Sequence, residues 1–222
     1  MNPLPVDEIQ RTLRTYGFSA SPTYCEQVRL YVELLLRWNR KVSLTAVTEL
    51  REILKFHFGE SLLGIEAAAI ENGRLADLGS GAGFPGIPIA MAKPGLEAAL
   101  IESNAKKAAF LEEVRRELDL KNISVHKGRI EELPASEKFT FVTARALGRH
   151  RELLGWTRKR LLEGGRAVLW LSSAGFVEVK GVPEWDWREP VQIPGTKERF
   201  VAVGQPGRSS QAGEIVSRET IL

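Results

Sequence analysis

The stretch RLADLGSGAGFPGIPIA, residues 74 to 90, constrains the fold more than any other part of the chain. A short apolar run from Arg74 to Leu78 carries one acid, Asp77, and is followed by Gly79, Gly81, Gly83 and Gly86. The run reads as a strand, the glycines of 79–83 as a tight turn, and Pro85 as the start of a helix. Glycine adopts positive φ at little cost and lets main-chain N–H groups reach a ligand with no Cβ between them. In an open doubly wound sheet such a turn lies at the carboxyl edge of the strands, where ligands bind at the reversal of strand order. The turn therefore predicts an α/β chain with a nucleotide-like ligand against its backbone.

The remaining sequence has the alternation such a sheet needs. Apolar runs at 97–103, 123–127, 139–145 and 166–171 alternate with helical stretches near 87–93, 104–118 and 148–162, which predicts parallel strands covered on both faces. After 171 the helical signal fades. Two last runs, 188–193 and 199–204, are joined by PGTKE, a turn that favours an antiparallel hairpin. With the run at 74–79, this gives a doubly wound, mostly parallel, seven-stranded sheet. The first 70 residues show helical periodicity only. Tyr24, Val28, Tyr31, Leu35, Trp38 and Val42 form one stripe behind Ser21-Pro22, a good helix start, and further helices are read over 49–69 and 5–16. The predicted organisation is a helical cap over 1–70, a sheet domain over 71–206 and a polar tail over 207–222.

Composition narrows the class. Cys25 stands alone, which excludes an intramolecular disulfide and a thiolate zinc cluster, and no metal is expected. The opening MNPLPVDEIQ has no basic start before an apolar run, and no apolar stretch approaches the roughly 18 residues of a membrane span. A cytoplasmic protein without membrane association is expected. Net charge is only +3, but residues 144 to 166 hold seven Arg and Lys against Glu152 and Glu163. That local excess suits either a solvated helix face or a phosphate-contacting surface.

Gly81-x-Gly83-x-x-Gly86 satisfies the dinucleotide fingerprint, and Glu102 follows about twenty residues on. Two features tilt the choice to S-adenosylmethionine (AdoMet). Asp77 precedes the glycines in an Asp-x-Gly-x-Gly-x-Gly order, where the acid can meet a cofactor ammonium directly or through water and no pyrophosphate needs cradling. The chain also offers no second lobe on which a dehydrogenase would hold its substrate. Glu102, in LIES at the end of the second strand, can accept both ribose hydroxyls in either case.

DLGSGAGFPGIPIA followed by LIES, KKAAFLEEV, GRIEEL and TARAL, with WNRKVSLTA and FHFGESLL upstream, resembles the bacterial ribosomal RNA small subunit methyltransferase G family, also called the glucose-inhibited division protein B group. The similarity spans roughly residues 35 to 205. It implies a seven-stranded AdoMet-dependent (Rossmann-like) methyltransferase fold with an N-terminal helical cap, and methylation of N7 of one guanine in 16S ribosomal RNA. By matching positions, the resemblance implies that Gly79 and Phe84 line the cofactor and Glu102 holds the ribose. Ile130 and Glu131 then flank the adenine, and Arg145 sits beside methyl transfer. Departures from the family pattern are Ser43 for Asn, Glu60 for Asp in the His57-x-x-Glu60-Ser61 stretch, and Ser172-Ser173 for Lys-Gly.

N7 of guanine carries an in-plane lone pair and no proton, so methylation requires no general base and no catalytic dyad is expected. A fixed cation pressed against a base that becomes cationic would oppose the reaction. Arg145 is therefore expected on a phosphate, a carbonyl oxygen or the cofactor carboxylate. Arg145, Arg149 and Arg151, starting at the end of the fourth strand, are the candidate RNA contacts, with His57 added because it falls in the family-like stretch. Trp38 fits a core role better than a base-stacking one. The expected partner is 16S RNA or the small ribosomal particle, met by a monomer. The competing readings are methylation of another substrate and a non-catalytic AdoMet-binding RNA protein.

Overall fold

The computed structural model describes residues 4–207; the tail expected over 207–222 lies, but for Gly207, outside them. Helices α1 (Val6–Arg14) and α2 (Pro22–Asn39) come first. Ser21 caps α2 by accepting from Tyr24 N at 3.1 Å, and Pro22 fills the position whose N–H would have no helical partner. Then α3 (Leu50–Ile53), a π-helical turn (Leu54–Gly59) and α4 (Glu60–Ala67) run on without a break.

Next come β1 (Gly73–Leu78), α5 (Gly86–Ala92), β2 (Leu96–Glu102), α6 (Ala105–Glu117) and β3 (Ile123–Lys127). A 3₁₀ turn at Ile130–Glu132 leads to β4 (Phe139–Arg145), α7 (His150–Arg160), β5 (Leu161–Ser172) and α8 (Ser173–Lys180). The short strands β6 (Trp185–Trp187) and β7 (Val191–Gln192) precede the long β8 (Arg199–Pro206).

The sheet runs β3-β2-β1-β4-β5-β8-β6, with β7 also on β8. Strands β1 to β5 are parallel and β8 is antiparallel to β5. Both β6 and β7 pair with β8 at different heights, so eight strands occupy seven positions. Of the strand expected at 188–193 only Val191–Gln192 forms, because Pro190 cannot donate to a ladder, and β6 lies just ahead of that run. Strand order reverses between β1 and β4, which pair from Leu75↔Phe141 to Leu78↔Ala144.

Side chains alternate across the sheet. Leu75, Leu100, Phe141, Val168 and Trp170 enter one core, and Ala76, Ile101, Val142 and Leu169 the other. The second core is closed by α7 and α8. The first is closed by α5 and α6 together with the helices of the first 70 residues, through the buried side chains of Tyr31, Leu35, Leu54 and Phe58. Trp170 Nε1 donates to Glu60 O at 2.7 Å, and a Cβ at Gly64 would lie 2.6 Å from Trp170 Cη2, so α4 lies directly on the sheet. Helix α8 was not expected, because its mixed apolar and polar residues make no stripe and Val177 is exposed. Its readable signal is Ser172, whose Oγ accepts from Gly175 N at 3.2 Å as a helix cap. Among the described residues no helix is long and apolar enough to cross a membrane, and no group of three or more His, Cys, Asp or Glu could hold a metal ion.

Candidate functional site

Strand β1 delivers the glycine turn to the carboxyl edge beside the point of reversal. Gly79, Gly81 and Gly83 have φ of +64°, +57° and +88°. A Cβ on Gly79 would lie 2.7 Å from Leu147 Cδ2, and one on Gly83 2.5 Å from Ile87 Cδ1. One on Gly81 would meet only Gly79 O, at 3.8 Å. Gly81 is thus the bare position that faces open space, whereas packing accounts for the other two.

Glu102 lies across this turn. Its Oε2 accepts from Gly81 N at 2.8 Å and its Oε1 from Asn104 N at 2.7 Å. Asp77 is buried: Oδ1 accepts from Thr143 Oγ1 at 2.7 Å and Oδ2 from Gly86 N at 3.3 Å. Burial pushes its pKa up to about 6, against the hydrogen bonds that favour the carboxylate. Asp77 therefore ties β1 to β4 and to the first residue of α5. Ile130 and Glu131 lie in the turn after β3, next to Gly128, whose N–H donates to Glu102 O at 3.1 Å.

Phe84 follows the turn and is only 8% exposed. It stacks against Tyr31 (5.2 Å, 11°) and against His57 (4.6 Å, 17°), which leaves little ring face for a ligand. Within the π-helical turn, His57 Nε2 lies 2.8 Å from Thr45 Oγ1. Burial, helped by nearby Arg145, drops its pKa to about 4, so the ring is neutral at pH 7. The loop bearing Thr45 is closed by Asn39, which donates to Thr45 O and accepts from Leu44 N and Thr45 N. Trp38 packs on Phe110 at 5.8 Å and belongs to the core side of α2.

Arg145 at the end of β4 donates from Nη1 to Phe56 O at 2.6 Å and from Nη2 to Glu60 Oε2 at 3.0 Å. A carbonyl oxygen is thus among its partners, and it is a carbonyl of the protein. Glu60 is 1% exposed and also receives Arg199, whose Nη1 lies 3.2 Å from Oε2 and Nη2 2.7 Å from Oε1. In the sequence Glu60 stands out only as a departure from the family pattern, and no signal marks Arg199, 139 positions away. The one local hint was a carboxylate inside the apolar FHFGESLLG.

The basic segment does not form one surface. Helix α7 leads away from the carboxyl edge, with Arg149 and Arg151 exposed at its start and Arg158, Lys159 and Arg160 in its last turn. Arg149 pairs with Glu152 at 3.0 Å. At the far end Arg160 donates to the carbonyls of Leu133 and Pro134, and Arg166 to that of Ala68. Ser172 and Ser173 begin α8, and Ser173 N donates to Glu198 O at 2.9 Å. Two cavities, of about 660 and 590 Å³, lie elsewhere: beside the exposed side of α2, and where α2 meets the segments 90–94 and 119–122.

Sheet order and turn together define a doubly wound domain of methyltransferase type. The glycopeptide N-methyltransferase MtfA shares this fold, with a TM-score of 0.59 over 68% of this chain and 90% of that one at 13% identity. The family is given by sequence. Residues 24–180 match the model of the family described as rRNA small subunit methyltransferase G. The ribosomal RNA small subunit methyltransferase G of Pseudomonas fluorescens is 34% identical over 218 residues, 96% of this chain and 95% of that protein. Its counterpart from Lachnoclostridium phytofermentans is 41% identical over 158 residues, 69% of this chain and 65% of that one. The chain belongs to the ribosomal RNA small subunit methyltransferase G family.

Proposed function

We propose that the chain transfers a methyl group from AdoMet to N7 of a guanine in 16S ribosomal RNA, free or within the small subunit particle. The observation that carries this reading is the bare Gly81 beside Glu102 at the carboxyl edge, in a chain of this family. The residues fit the cofactor: Gly79 and Gly81 offer main chain, Glu102 a carboxylate for ribose hydroxyls, Ile130 and Glu131 a flank for adenine, and Phe84 a ring edge. When bound, AdoMet supplies an electrophilic methyl group on a sulfonium.

The chain's own work is positioning, which is worth at most about 7 to 11 kcal/mol. No side chain has to take a proton from N7. Asp77 serves this by fixing the turn between β1, β4 and α5. Neutral His57 adds no positive charge beside a base that gains one. Two Arg145 donors are taken by Phe56 O and by Glu60, which Arg199 shares, so the guanidinium is committed to protein oxygens and not to N7. Arg149 and Arg151 supply phosphate contacts that hold the RNA in register.

The test is incubation with labelled AdoMet and 30S particles or ribosomal RNA from a strain that lacks the modification, followed by mapping of the labelled base. Label at one guanine N7 is expected. Label that stays on the cofactor, or moves to another acceptor, overturns the reading.

A further inference from the structure

Two guanidinium groups share one carboxylate at the carboxyl edge, which leaves one positive charge uncompensated. Arg145 ends β4 and Arg199 begins β8, on strands separated by β5, yet both converge on Glu60 in the first turn of α4. The carboxylate is 1% exposed, whereas the arginine side chains are 18% and 37% exposed. Each guanidinium plane is held twice: Arg145 by Glu60 and Phe56 O, and Arg199 by Glu60 and the Phe56 ring, 5.0 Å below it. Among the described residues neither Nε has a hydrogen-bond partner.

A buried carboxylate that lacked its cations would be strongly destabilising, so Glu60 serves to hold two like charges side by side. With the Nη groups on Glu60 and Phe56 O, what remains uncommitted is the Nε–H side of each partly exposed guanidinium, and the three groups together carry a net charge of +1. That matches one phosphodiester, with one negative charge shared by two oxygens. The cofactor's own carboxylate is the competing anion, but Arg199 stands beyond β5, two sheet positions further from β1 and its glycine turn than β4 is.

We infer that Arg145 and Arg199, aligned by Glu60, form a binding site for a single backbone phosphate of the substrate RNA. The inference rests on the RNA reading given above. Arg199 is a contact residue, and Glu60 is a positioning residue that acts through both arginines.

The experiment measures binding of unmethylated small-subunit ribosomal RNA by the full chain at several salt concentrations, with AdoMet affinity and melting temperature as controls. For Arg199→Gln, binding is expected to weaken about tenfold, and the slope of log K against log salt to shrink by about 0.7 to 0.9, the share of one phosphate. Arg199→Lys should keep the slope and lose affinity, since the charge stays and the fork goes. Glu60→Gln raises the local charge by one, so a diffuse basic surface would bind RNA more tightly. A positioned site should bind it more weakly, with Glu60→Asp recovering part of the loss.

An unchanged slope in Arg199→Gln, tighter binding in Glu60→Gln, or a loss of AdoMet affinity in Arg199→Gln with the slope intact each overturns the inference. Methylation of RNA with an unchanged Arg199→Gln slope rejects this site alone. Salt-dependent RNA binding with no methyl transfer rejects the enzymatic reading and leaves the site standing.

Discussion

Added methyl groups at Gly81 and Gly86 would have opposite fates. On Gly86 a Cβ would lie 2.6 Å from Leu100 Cδ2 and 2.8 Å from Asp77 Oδ2, inside the core. Gly86→Ala should therefore lose about 1 to 3 kcal/mol in urea unfolding, the usual range for overpacking. Gly81→Ala has room but must hold φ near +57°, at about 1 kcal/mol for an L residue. It should fold and bind AdoMet at least tenfold more weakly by calorimetric titration, the about 1.4 kcal/mol that covering a bare main-chain cradle forfeits; wild-type affinity would remove the turn from the cofactor site. His57 offers a prediction in pH. Its folded pKa of about 4 lies below the ordinary 6.5, so the unfolded chain binds more protons between those values. The contribution of neutral His57 is complete above pH 6.5 and is lost as pH falls toward 4. Asp77 works in reverse, since its pKa of about 6 lies above the ordinary 3.8 and acid relieves it. The wild-type profile mixes the two, so the useful quantity is wild type minus His57→Gln. That difference should shrink between pH 7 and pH 5 in urea melts, and a constant difference would contradict a ring held neutral in the folded chain.

Among the elements, α7 shows why a count of charges is not a surface. At 1.5 Å per residue its eleven residues span about 16 Å, twice the screening length of about 8 Å at physiological salt. Arg151→Gln, at the carboxyl edge, should weaken RNA binding, and Arg158→Gln, near the other end, should leave it within twofold; equal losses would mean that the RNA wraps the whole helix. The sequence showed this excess of charge but not its division, because division depends on where the helix starts relative to the sheet. Local signals did better. The glycine turn, Glu102 at a strand end and the Ser21 cap are each set by neighbours a few positions away, and each is where the sequence placed it. Glu60 and Arg199 meet only through the packing of α4 on β5 and β8, and no spacing announces that.

For the whole molecule, the decisive feature is a core that the first 70 residues share with the sheet. The sequence distinguished a helical segment from an alternating one, but it could not show that the first completes a face of the second. Helices α5 and α6 cover the β1 to β3 half of that face, and α4 with its neighbours covers the half formed by β5 and β8. We expect one calorimetric transition for the full chain. Residues 71–222 alone should be insoluble, since Val168, Trp170, Val201 and Val203 would lose their cover; a soluble, cooperatively folding fragment would show two separable units. At the sheet's far side, the division into β6 and β7 breaks up the rail along β8 that another strand could join. The opposite margin is β3, only five residues long and ending in Lys127. Neither margin invites a neighbouring copy to zip on, so sedimentation should report one chain at every concentration, each free to approach its large target alone.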